Sequence, residues 1–396
     1  MASSAEPARG SLLYDPKVRG LVWQVVLVVL IGLLLYSAAT NAVANLRAAR
    51  IASGFGFLSN TSGFDVNQTL VPYSATSTYG RAFVVGLLNT LLVASIGIVL
   101  ATILGFVVGV ARLSKNWIIA KVAMIYVEVI RNLPLLLQLL FWYNAVLTPL
   151  PAPRQSVELG AGFFLNNRGL FMPRPLPDDR AWLIPVALLI GIVATIVFRI
   201  WASRRQAATG QQAPVLTVTL GFILGLPALA WLLLAATGGN PIAFEVPQQQ
   251  RFNLVGGLQV FPEFVALLVG LVTYTAGFIA EVVRAGILAV SKGQTEASYS
   301  LGLRPNLTLR LVVIPQAMRV IIPPLTSQFL NLTKNSSLAV VIGYPDLVQV
   351  FMGTVLNQTG QALEVVAITM AVYLTISLVT SFFMNVYNRR VAIVER

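Results

Sequence analysis

The stretch 82-AFVVGLLNTLLVASIGIVLATILGFVVGVA-111 contains no charged side chain over its whole length. A membrane-spanning helix needs about 20 predominantly apolar residues, so this stretch is long enough to cross a bilayer. The rest of the chain is similar in character, because its 396 residues are 57% hydrophobic and only 10% charged. Soluble domains carry roughly 25% charged residues. The composition therefore predicts an all-α integral membrane protein that crosses the bilayer many times.

Further apolar stretches bring the prediction to about eight transmembrane helices. Besides 82–111, they are Leu21–Ser37, Ile118–Leu147, Ala181–Phe198, Ala213–Ala236, Phe264–Val290, Val320–Tyr344 and Val365–Tyr387. The seventh is the weakest, because Pro323, Pro324 and Lys334 interrupt it. Within the third, Asn132-Leu133-Pro134 predicts a break, since proline removes a helical hydrogen bond and clashes with the preceding turn.

Basic residues cluster before the first span and after every second one. The clusters are Arg9, Lys17 and Arg19; Arg112, Lys115 and Lys121; Arg199, Arg204 and Arg205; Arg284, Lys292, Arg304 and Arg310; and Arg389, Arg390 and Arg396. Since Lys and Arg collect in cytoplasmic loops, this alternation predicts that both termini are cytoplasmic. The first span is favoured as a retained anchor, although Ala42-Val43-Ala44 leaves a cleaved signal peptide open.

The residue counts also exclude several kinds of chemistry. The chain has no cysteine and no histidine, which excludes disulfides, thiolate catalysis, zinc–thiolate sites and histidine acid–base chemistry. Its net charge of +13 would indicate nucleic-acid binding in a soluble protein. In a membrane protein, cytoplasmic loops account for such a charge. We therefore expect no catalytic centre, no metal site and no nucleic-acid partner, and we expect contact with membrane lipid.

Ionisable residues inside predicted spans cost about 2.5–3.5 kcal/mol each on insertion scales, so they are functional candidates. Glu128 with Arg131, and Glu281 with Arg284, are three residues apart and share a helical face. Each pair is therefore expected to neutralise itself. Two interpretations stay open: a structural buttress between helices, or a polar lining of a permeation path.

A second group of polar candidates lies at predicted breaks in the helices. Lys334 has no acidic neighbour at helical spacing and is followed by Asn335, Ser336 and Ser337. Irregular backbone at membrane depth is tolerated only where it is buried in protein or lines water. An unpaired cation there suits a carboxylate, either of a substrate or of a partner subunit. Gln138, one turn beyond the predicted break in the third span, is expected to present its amide inward.

The segment 291–316 is a polar, basic island between two apolar spans. Ser291 and Gln294 have the spacing of a capping box, which predicts the start of a short helix. Gly302 is placed to end that helix. Charge alternation puts the segment in the cytoplasm.

A second short helix is predicted in the same segment. Pro305 suits the first turn of a helix that covers 306–313, and Ile314-Pro315 is expected to close it. The alternative is an ordinary re-entry loop, but the agreement of the cap, glycine and proline signals favours a helix–turn–helix hairpin.

Several motifs in this sequence resemble those of a known family. Glu296-Ala297-Ser298, then Gly302, then Ile314-Pro315 resembles the EAA loop of importer-type ABC transporter permeases. The motifs that resemble the polar amino acid branch are Tyr126-x-Glu128-x-x-Arg131-x-x-Pro134, Ala280-Glu281-x-x-Arg284 and Lys334-x-Ser336-Ser337. The outer segments Gly54–Leu58, Pro72–Ser74 and Asn166–Leu170 are similar to one permease subunit of the general L-amino acid importers of proteobacteria.

The resemblance implies a type I permease core of five helices with three extra helices. The implied divisions are a cytoplasmic N-terminus (1–20), an extra first helix (21–39), a periplasmic loop (40–80), the first part of the core (82–150), periplasmic loops with an inserted helix pair (151–261), the second part of the core with the coupling loop 291–316 (262–390), and a cytoplasmic tail (391–396). From the residues alone, the two long outer loops, roughly Thr40–Gly80 and Pro151–Arg180, are either docking surfaces or simple connections.

The resemblance also implies partners in the bacterial inner membrane. A dimer of ATP-binding subunits would grip the loop around Glu296–Gly302, a periplasmic binding protein would deliver an L-amino acid, and a second, homologous permease would complete the path. The chain has no G-x-x-x-x-G-K-[ST] phosphate loop. Hence we expect it to bind no cofactor, with ATP and Mg²⁺ handled by the separate ATPase.

Two other function classes are weaker alternatives. A self-sufficient secondary transporter would use Glu128, Glu281 and Lys334 as ion- or proton-coupled sites. Against this, both carboxylates have an arginine nearby and the two halves show no evident repeat. An integral membrane enzyme would need His, Cys or clustered carboxylates facing one loop, and the sequence offers none of these.

Overall fold

The computed structural model describes residues 16–48, 53–251 and 253–391. Seven helices in this part of the chain are long and apolar enough to cross a membrane, or eight if one bent pair counts as a span. The seven are Val18–Ala38, Tyr79–Ala111, Leu183–Thr209, Val215–Gly238, Pro262–Leu288, Pro305–Val341 and Ala362–Arg389. The predicted all-α fold with about eight spans is thus confirmed. Most of the predicted terminal segments 1–20 and 391–396 lies outside the described residues.

The chain divides into two compact units, and the division falls within one long helix. The first unit comprises residues 1–92 and 345–396, and the second comprises residues 93–344. The dividing helix, α2, covers Tyr79–Ala111. Each unit has its own hydrophobic core.

The first described helix of the first unit is α1, Pro16–Ala48, and its large apolar side chains between Leu21 and Tyr36 are exposed. The core of this unit joins the start of α2 to the C-terminal elements through buried apolar side chains. These include Phe57, Tyr79, Ala82, Leu347, Val350, Phe351, Val355 and Val365. The C-terminal elements are a π-helical turn at Val348–Val355 that continues as α12, Leu356–Thr359, and helix α13, Ala362–Val391. Gly360 separates α12 from α13 with φ 67°, a left-handed conformation that glycine adopts without strain.

The second unit contains the remaining described α-helices. They are α3 (Trp117–Asn132), α4 (Leu135–Leu140, extended by a π-helical Phe141–Leu147), α5 (Leu183–Thr209), α6 (Val215–Leu220), α7 (Leu226–Gly238), α8 (Pro262–Leu288), α9 (Lys292–Ser300), α10 (Pro305–Thr308) and α11 (Ile314–Asn335). Local signals begin two of them: Asn116 caps α3 by accepting two backbone N–H groups, and α8 starts with Pro262 in its first turn.

Small residues bring α2 and α8 close together. Gly105 and Gly109 are four residues apart and face α8, where a Cβ on Gly109 would approach the backbone oxygen of Ala280 to 2.7 Å. Such small-residue pairs let helix backbones approach in membranes, where packing replaces the hydrophobic effect as the driving force. α8 also packs against α3 and α11.

The connections outside the spans contain short antiparallel sheets that the sequence analysis did not predict. Strands β1 (Val157–Gly160), β2 (Phe163–Asn166), β3 (Gly169–Met172) and β8 (Leu258–Val260) form a four-stranded sheet. Two-stranded pairs are formed by β4 (Arg174–Pro177) with β5 (Ile242–Glu245) and by β6 (Gln248–Gln249) with β7 (Leu254–Val255). The inserted helices α5, α6 and α7 pack on one another, and few of their side chains are buried.

Candidate functional site

The polar island starts with helix α9, whose N-terminus differs from the prediction. Ser291 occupies the N-cap position, but its side chain makes no capping hydrogen bond. Gln294 instead accepts a hydrogen bond through Oε1 from Gln316 Nε2 at 3.2 Å. The predicted capping box is therefore wrong, because the Gln294 side chain has a partner 22 residues away along the chain.

The turn after α9 confirms the predicted role of Gly302. Its φ is 76°, and its N–H donates to the Tyr299 carbonyl at 2.9 Å. The Leu303 N–H donates to the Ser298 carbonyl at 3.1 Å. Together these bonds form a Schellman motif, which needs a left-handed residue at this position. Ser298 is buried, and its hydroxyl donates to the Gln294 carbonyl at 2.7 Å.

The second helix starts as predicted but does not end as predicted. Pro305 lies in its first turn, whereas Ile314-Pro315 does not close it. A π-helical segment, Leu309–Val313, connects α10 directly to α11. Pro315 stands at the start of α11, immediately after this wider turn, where the carbonyl clash that normally stops a helix is relieved. The arm 305–313 thus continues into the span.

The hairpin presents an exposed surface at its turn. Glu296 and Ala297 are exposed, and the Leu301 side chain is 81% exposed at the tip. On the second arm, Ile314 is 46% exposed and Pro315 is exposed as well. Apolar side chains exposed in this way are available for contact with another protein or with lipid.

Glu281 forms the predicted pair with Arg284 and has a second partner that the sequence did not reveal. Arg284 Nη2 donates to Glu281 Oε1 at 2.5 Å, and Arg112 Nη1 donates to Glu281 Oε2. All three side chains are less than one-third exposed. The group links the end of α2 to α8 within the second unit and carries one net positive charge.

Glu128 and Arg131 do not form the predicted pair. Glu128 is exposed and has no ion-pair partner among the described residues. The Arg131 guanidinium lies 5.1 Å from the centre of the Phe278 ring, a cation–π contact with α8. The equal spacing of the two motifs therefore leads to different arrangements, because α8 offers Arg131 an aromatic face.

The predicted break in the third span is confirmed as a bend of 105° between α3 and α4. Gln138 is buried beside it, and its Nε2 donates to the carbonyls of Ile130 and Leu133 at 3.0 and 3.1 Å. These bonds satisfy carbonyls that the break removes from the helix. The amide Oε1 is buried and has no partner among the described residues. A cavity of about 360 Å³ opens here, lined by Ile130, Leu133, Leu137, Gln138, Phe141 and Trp142.

Lys334 lies in the last turn of α11, which gives way to a 3₁₀ helix at Ser336–Val341. Its side chain is exposed and pairs with no carboxylate in the part of the chain that the structure describes. Ser336 is buried and donates to the Thr333 carbonyl at 2.7 Å. Ser337 donates to the Lys334 carbonyl at 2.7 Å, and Asn335 is half-buried. Lys334 is thus available to a ligand or partner, whereas both serine hydroxyls are satisfied locally.

The match to a family model covers most of the chain. The model described as the binding-protein-dependent transport system inner membrane component matches residues 97–393. The chain belongs to this family. Both arms of the hairpin, the Glu281 group and Lys334 lie within the matched region of this inner membrane component.

Similar proteins match over nearly the full length. The general L-amino acid transport system permease protein AapQ of Rhizobium johnstonii is 52% identical over 386 residues, covering 98% of this chain and 95% of that protein. The putative amino-acid ABC transporter permease protein YhdX of Escherichia coli is 49% identical, with both chains fully covered. The glutamate/glutamine/aspartate/asparagine transport system permease protein BztB of Rhodobacter capsulatus is 42% identical, again with both fully covered. With its apolar helices, this inner membrane component is a multi-pass inner membrane protein.

Three contacts between helices of the inner membrane component are not evident from the sequence. Arg112 and Phe278 were missed as partners of Glu281 and Arg131, because both come from another helix. The one available signal for Arg112 was its position directly after an uncharged span. The third is Tyr126, whose hydroxyl donates to the Thr273 carbonyl at 2.7 Å and ties α3 to α8.

Proposed function

We propose that this permease is the membrane subunit of an ATP-driven importer that takes up L-amino acids delivered by a periplasmic binding protein. The observation that carries the proposal is the hairpin 291–313, with its Schellman turn at Gly302 and its exposed tip at Leu301. The names of the similar full-length proteins support the substrate class.

The hairpin is the proposed site of energy coupling. A dimer of ATP-binding subunits docks on Glu296, Ala297 and the turn, and its closure moves the two arms. Because the second arm continues through Ile314 and Pro315 into α11 without a stop, motion of the hairpin passes directly into a membrane span. The ATP and Mg²⁺ belong to that partner, since this chain has no phosphate-loop sequence.

The polar residues of the spans divide between two proposed roles. Glu281, Arg284 and Arg112 neutralise one another in part and act as a buttress. Glu128, Arg131, Lys334 and the cavity beside Gln138 are accessible, and these are the parts that we assign to the substrate path, which a second homologous permease completes. Asn335, Ser336 and Ser337 support Lys334 through the helix end. A carboxylate held by two arginines is a poor proton-coupling site, which argues against a secondary transporter.

Charge reversal at Glu296 tests the proposal. The four components (both permeases, the ATPase dimer and the binding protein) are reconstituted in liposomes, and ATP turnover is measured with and without loaded binding protein. Glu296→Arg is expected to abolish the stimulation and to reduce co-purification of the ATPase, because it places a new charge on the docking surface. Glu158→Arg is the matched control, since Glu158 is equally exposed but lies on strand β1, and it should retain the ATPase. Full stimulation and full ATPase retention in Glu296→Arg would contradict the coupling role. Gradient-driven uptake by the chain alone would favour a secondary transporter.

A further inference from the structure

Asp346 is a carboxylate that the proposed function does not use. It lies in the connection between the spans that end at Val341 and begin at Ala362, and its side chain is 0% exposed. Within the described residues, Glu364 is the one other buried carboxylate. An ionisable group this deeply buried needs either a charged partner or a dense set of hydrogen bonds.

The contacts of Asp346 hold the start of one short helical segment, Val348–Thr359. Its Oδ1 accepts the N–H of Gln349 at 2.8 Å, and the backbone N–H of Val348 is a further donor. This is the arrangement of an N-cap carboxylate. Its Oδ2 accepts from the Tyr373 hydroxyl of α13 at 3.3 Å.

The backbone around Asp346 is fixed to α2 by side chains that cap peptide groups. Asn89 Nδ2 donates to the Pro345 carbonyl at 2.9 Å, and the Leu347 N–H donates to Thr90 Oγ1 at 3.0 Å. Asn89 Nδ2 also reaches the Gln68 carbonyl at 2.9 Å. Gly86 permits this contact, since a Cβ there would lie 3.0 Å from the Cα of Leu347. The residues 345–349 are therefore the point where α2, the 53–78 loop and α13 meet within the first unit.

Among the described residues, no cation pairs with the carboxylate. Around it, α2 contributes Asn89 and Thr90, the 53–78 loop contributes Gln68 and the segment 348–359 contributes Gln349, all of them uncharged. The hydroxyl of Tyr373 on α13 is the one titratable group in contact within the described residues. Burial raises the pKa of Asp346 to about 7, although the two backbone N–H groups and the Tyr373 hydroxyl favour the charged form.

We propose that Asp346 is a positioning residue whose loss of a proton loosens the segment Val348–Thr359 from α2 and α13, and so speeds the opening of that end of the permease. The assignment of this end to the periplasmic side rests on the proposed function. The direction of the pH effect follows from the linkage between protonation of Asp346 and packing of the segment. A carboxyl whose pKa is raised in the packed state favours packing at low pH, and this contribution is lost as the pH rises through the raised value. Between about pH 4, where an exposed carboxyl ionises, and about pH 7, the packed state is disfavoured about tenfold per pH unit relative to a state that exposes Asp346 to water; above about pH 7 the ratio is constant, because Asp346 is ionised in both states.

Amide hydrogen exchange of the segment 348–359 tests the loosening directly. It is measured on the assembled complex from about pH 4 to about pH 8.5, a range that covers both the ordinary carboxyl pKa and the raised one, and each variant is compared with wild type at the same pH. Asp346→Asn keeps the shape and the capping ability but cannot ionise. We expect similar protection of the two proteins at about pH 4, a variant-to-wild-type protection ratio that rises by up to about tenfold per pH unit from there, and a constant ratio above about pH 7. Identical ratios at every pH would overturn the proposal.

Two further variants distinguish the effect of Asp346 ionisation from a general loss of stability. Tyr373→Phe removes a donor to the charged form and so raises the pKa of packed Asp346 further; the pH above which the protection is constant should therefore move upward. Glu364→Gln removes the other buried carboxylate, which accepts the Gly54 N–H, and it should leave that pH unchanged. An unmoved pH in Tyr373→Phe would also contradict the proposal, even if Asp346→Asn fails to fold.

Uptake in proteoliposomes then measures the consequence for transport. The ratio of wild-type to Asp346→Asn uptake should be near one at an outer pH of about 4, should rise severalfold between about pH 4 and about pH 7, and should be constant above that. A complex that shows the exchange difference but no amino acid uptake at all would refute the proposed function and leave the role of Asp346 intact. Uptake with a flat ratio would refute the role of Asp346 in transport.

Discussion

At the scale of single residues, one carboxylate serves two cations. Glu281 accepts from Arg284 on its own helix and from Arg112 at the end of α2. With all three side chains less than one-third exposed, each charge depends on the others for solvation. Removing one partner of a buried ion pair leaves an uncompensated charge, which costs about 3–5 kcal/mol when burial is complete.

We therefore expect Glu281→Gln to lower the free energy of unfolding by about 2 kcal/mol, less than the full cost because the group is partly exposed. Thermal unfolding in detergent, followed by loss of helical signal, measures the change. Glu128→Gln is the matched control, because Glu128 begins the same Glu-x-x-Arg spacing but is exposed and lacks an ion pair among the described residues. It should shift stability by less than about 0.5 kcal/mol. Equal losses in the two variants would mean that the Glu281 contacts do not stabilise the fold.

At the scale of elements, the hairpin depends on the conformation of one turn. A Cβ on Gly302 would meet no atom within 4 Å, so the requirement for glycine comes from its φ of 76° and not from space. A left-handed residue other than glycine costs about 1–2 kcal/mol. Gly302→Ala should therefore reduce ATPase stimulation by loaded binding protein about fivefold, if the turn must be formed for docking.

Gly293→Ala is the control for this change, because Gly293 lies within α9 without a positive φ and alanine favours a helix there. It should leave stimulation unchanged and should increase amide protection of α9. A Gly302→Ala variant with wild-type stimulation would show that the partner tolerates a rearranged turn.

The hairpin also shows where local signals stop being sufficient. Gly302 and Pro305 were predicted because each satisfies a requirement of its own backbone. The Ser291 cap was mispredicted because the side chain of Gln294 contacts Gln316 at the start of α11. The end at Ile314-Pro315 was mispredicted because a π-helical turn relieves the proline clash. The strands of the four-stranded sheet are only three or four residues long, too short for an alternating pattern to emerge.

At the scale of the whole molecule, spans were predictable and contacts between them were not. A run of apolar residues is a property of the local sequence, and so are the break beside Pro134 and the cation at Lys334. The environment of Asp346 is not a property of the local sequence, since Asn89, 256 residues away along the chain, donates a hydrogen bond to the neighbouring Pro345 carbonyl. Glu128 and Glu281 have the same local spacing to arginine, and only the facing helices decide that one pairs and the other does not.

The sequence also predicts on which side of the membrane each connection between spans lies, and this orientation can be measured. The chain has no cysteine, so single cysteines report sidedness without background. Three exposed positions suit this test: Asn167 in the turn between β2 and β3, Gln211 between α5 and α6, and Ser300 in the hairpin. Each is replaced singly, as Asn167→Cys, Gln211→Cys or Ser300→Cys. With a rise of 1.5 Å per residue, α5 is about 40 Å long, enough to cross a hydrocarbon core of about 30 Å. An impermeant maleimide added to spheroplasts should therefore label Asn167→Cys alone, and the other two should react only after the membrane is opened. Labelling of Gln211→Cys in sealed spheroplasts would mean that the inserted helices do not cross, and labelling of Ser300→Cys would place the hairpin on the wrong side for a cytoplasmic ATPase.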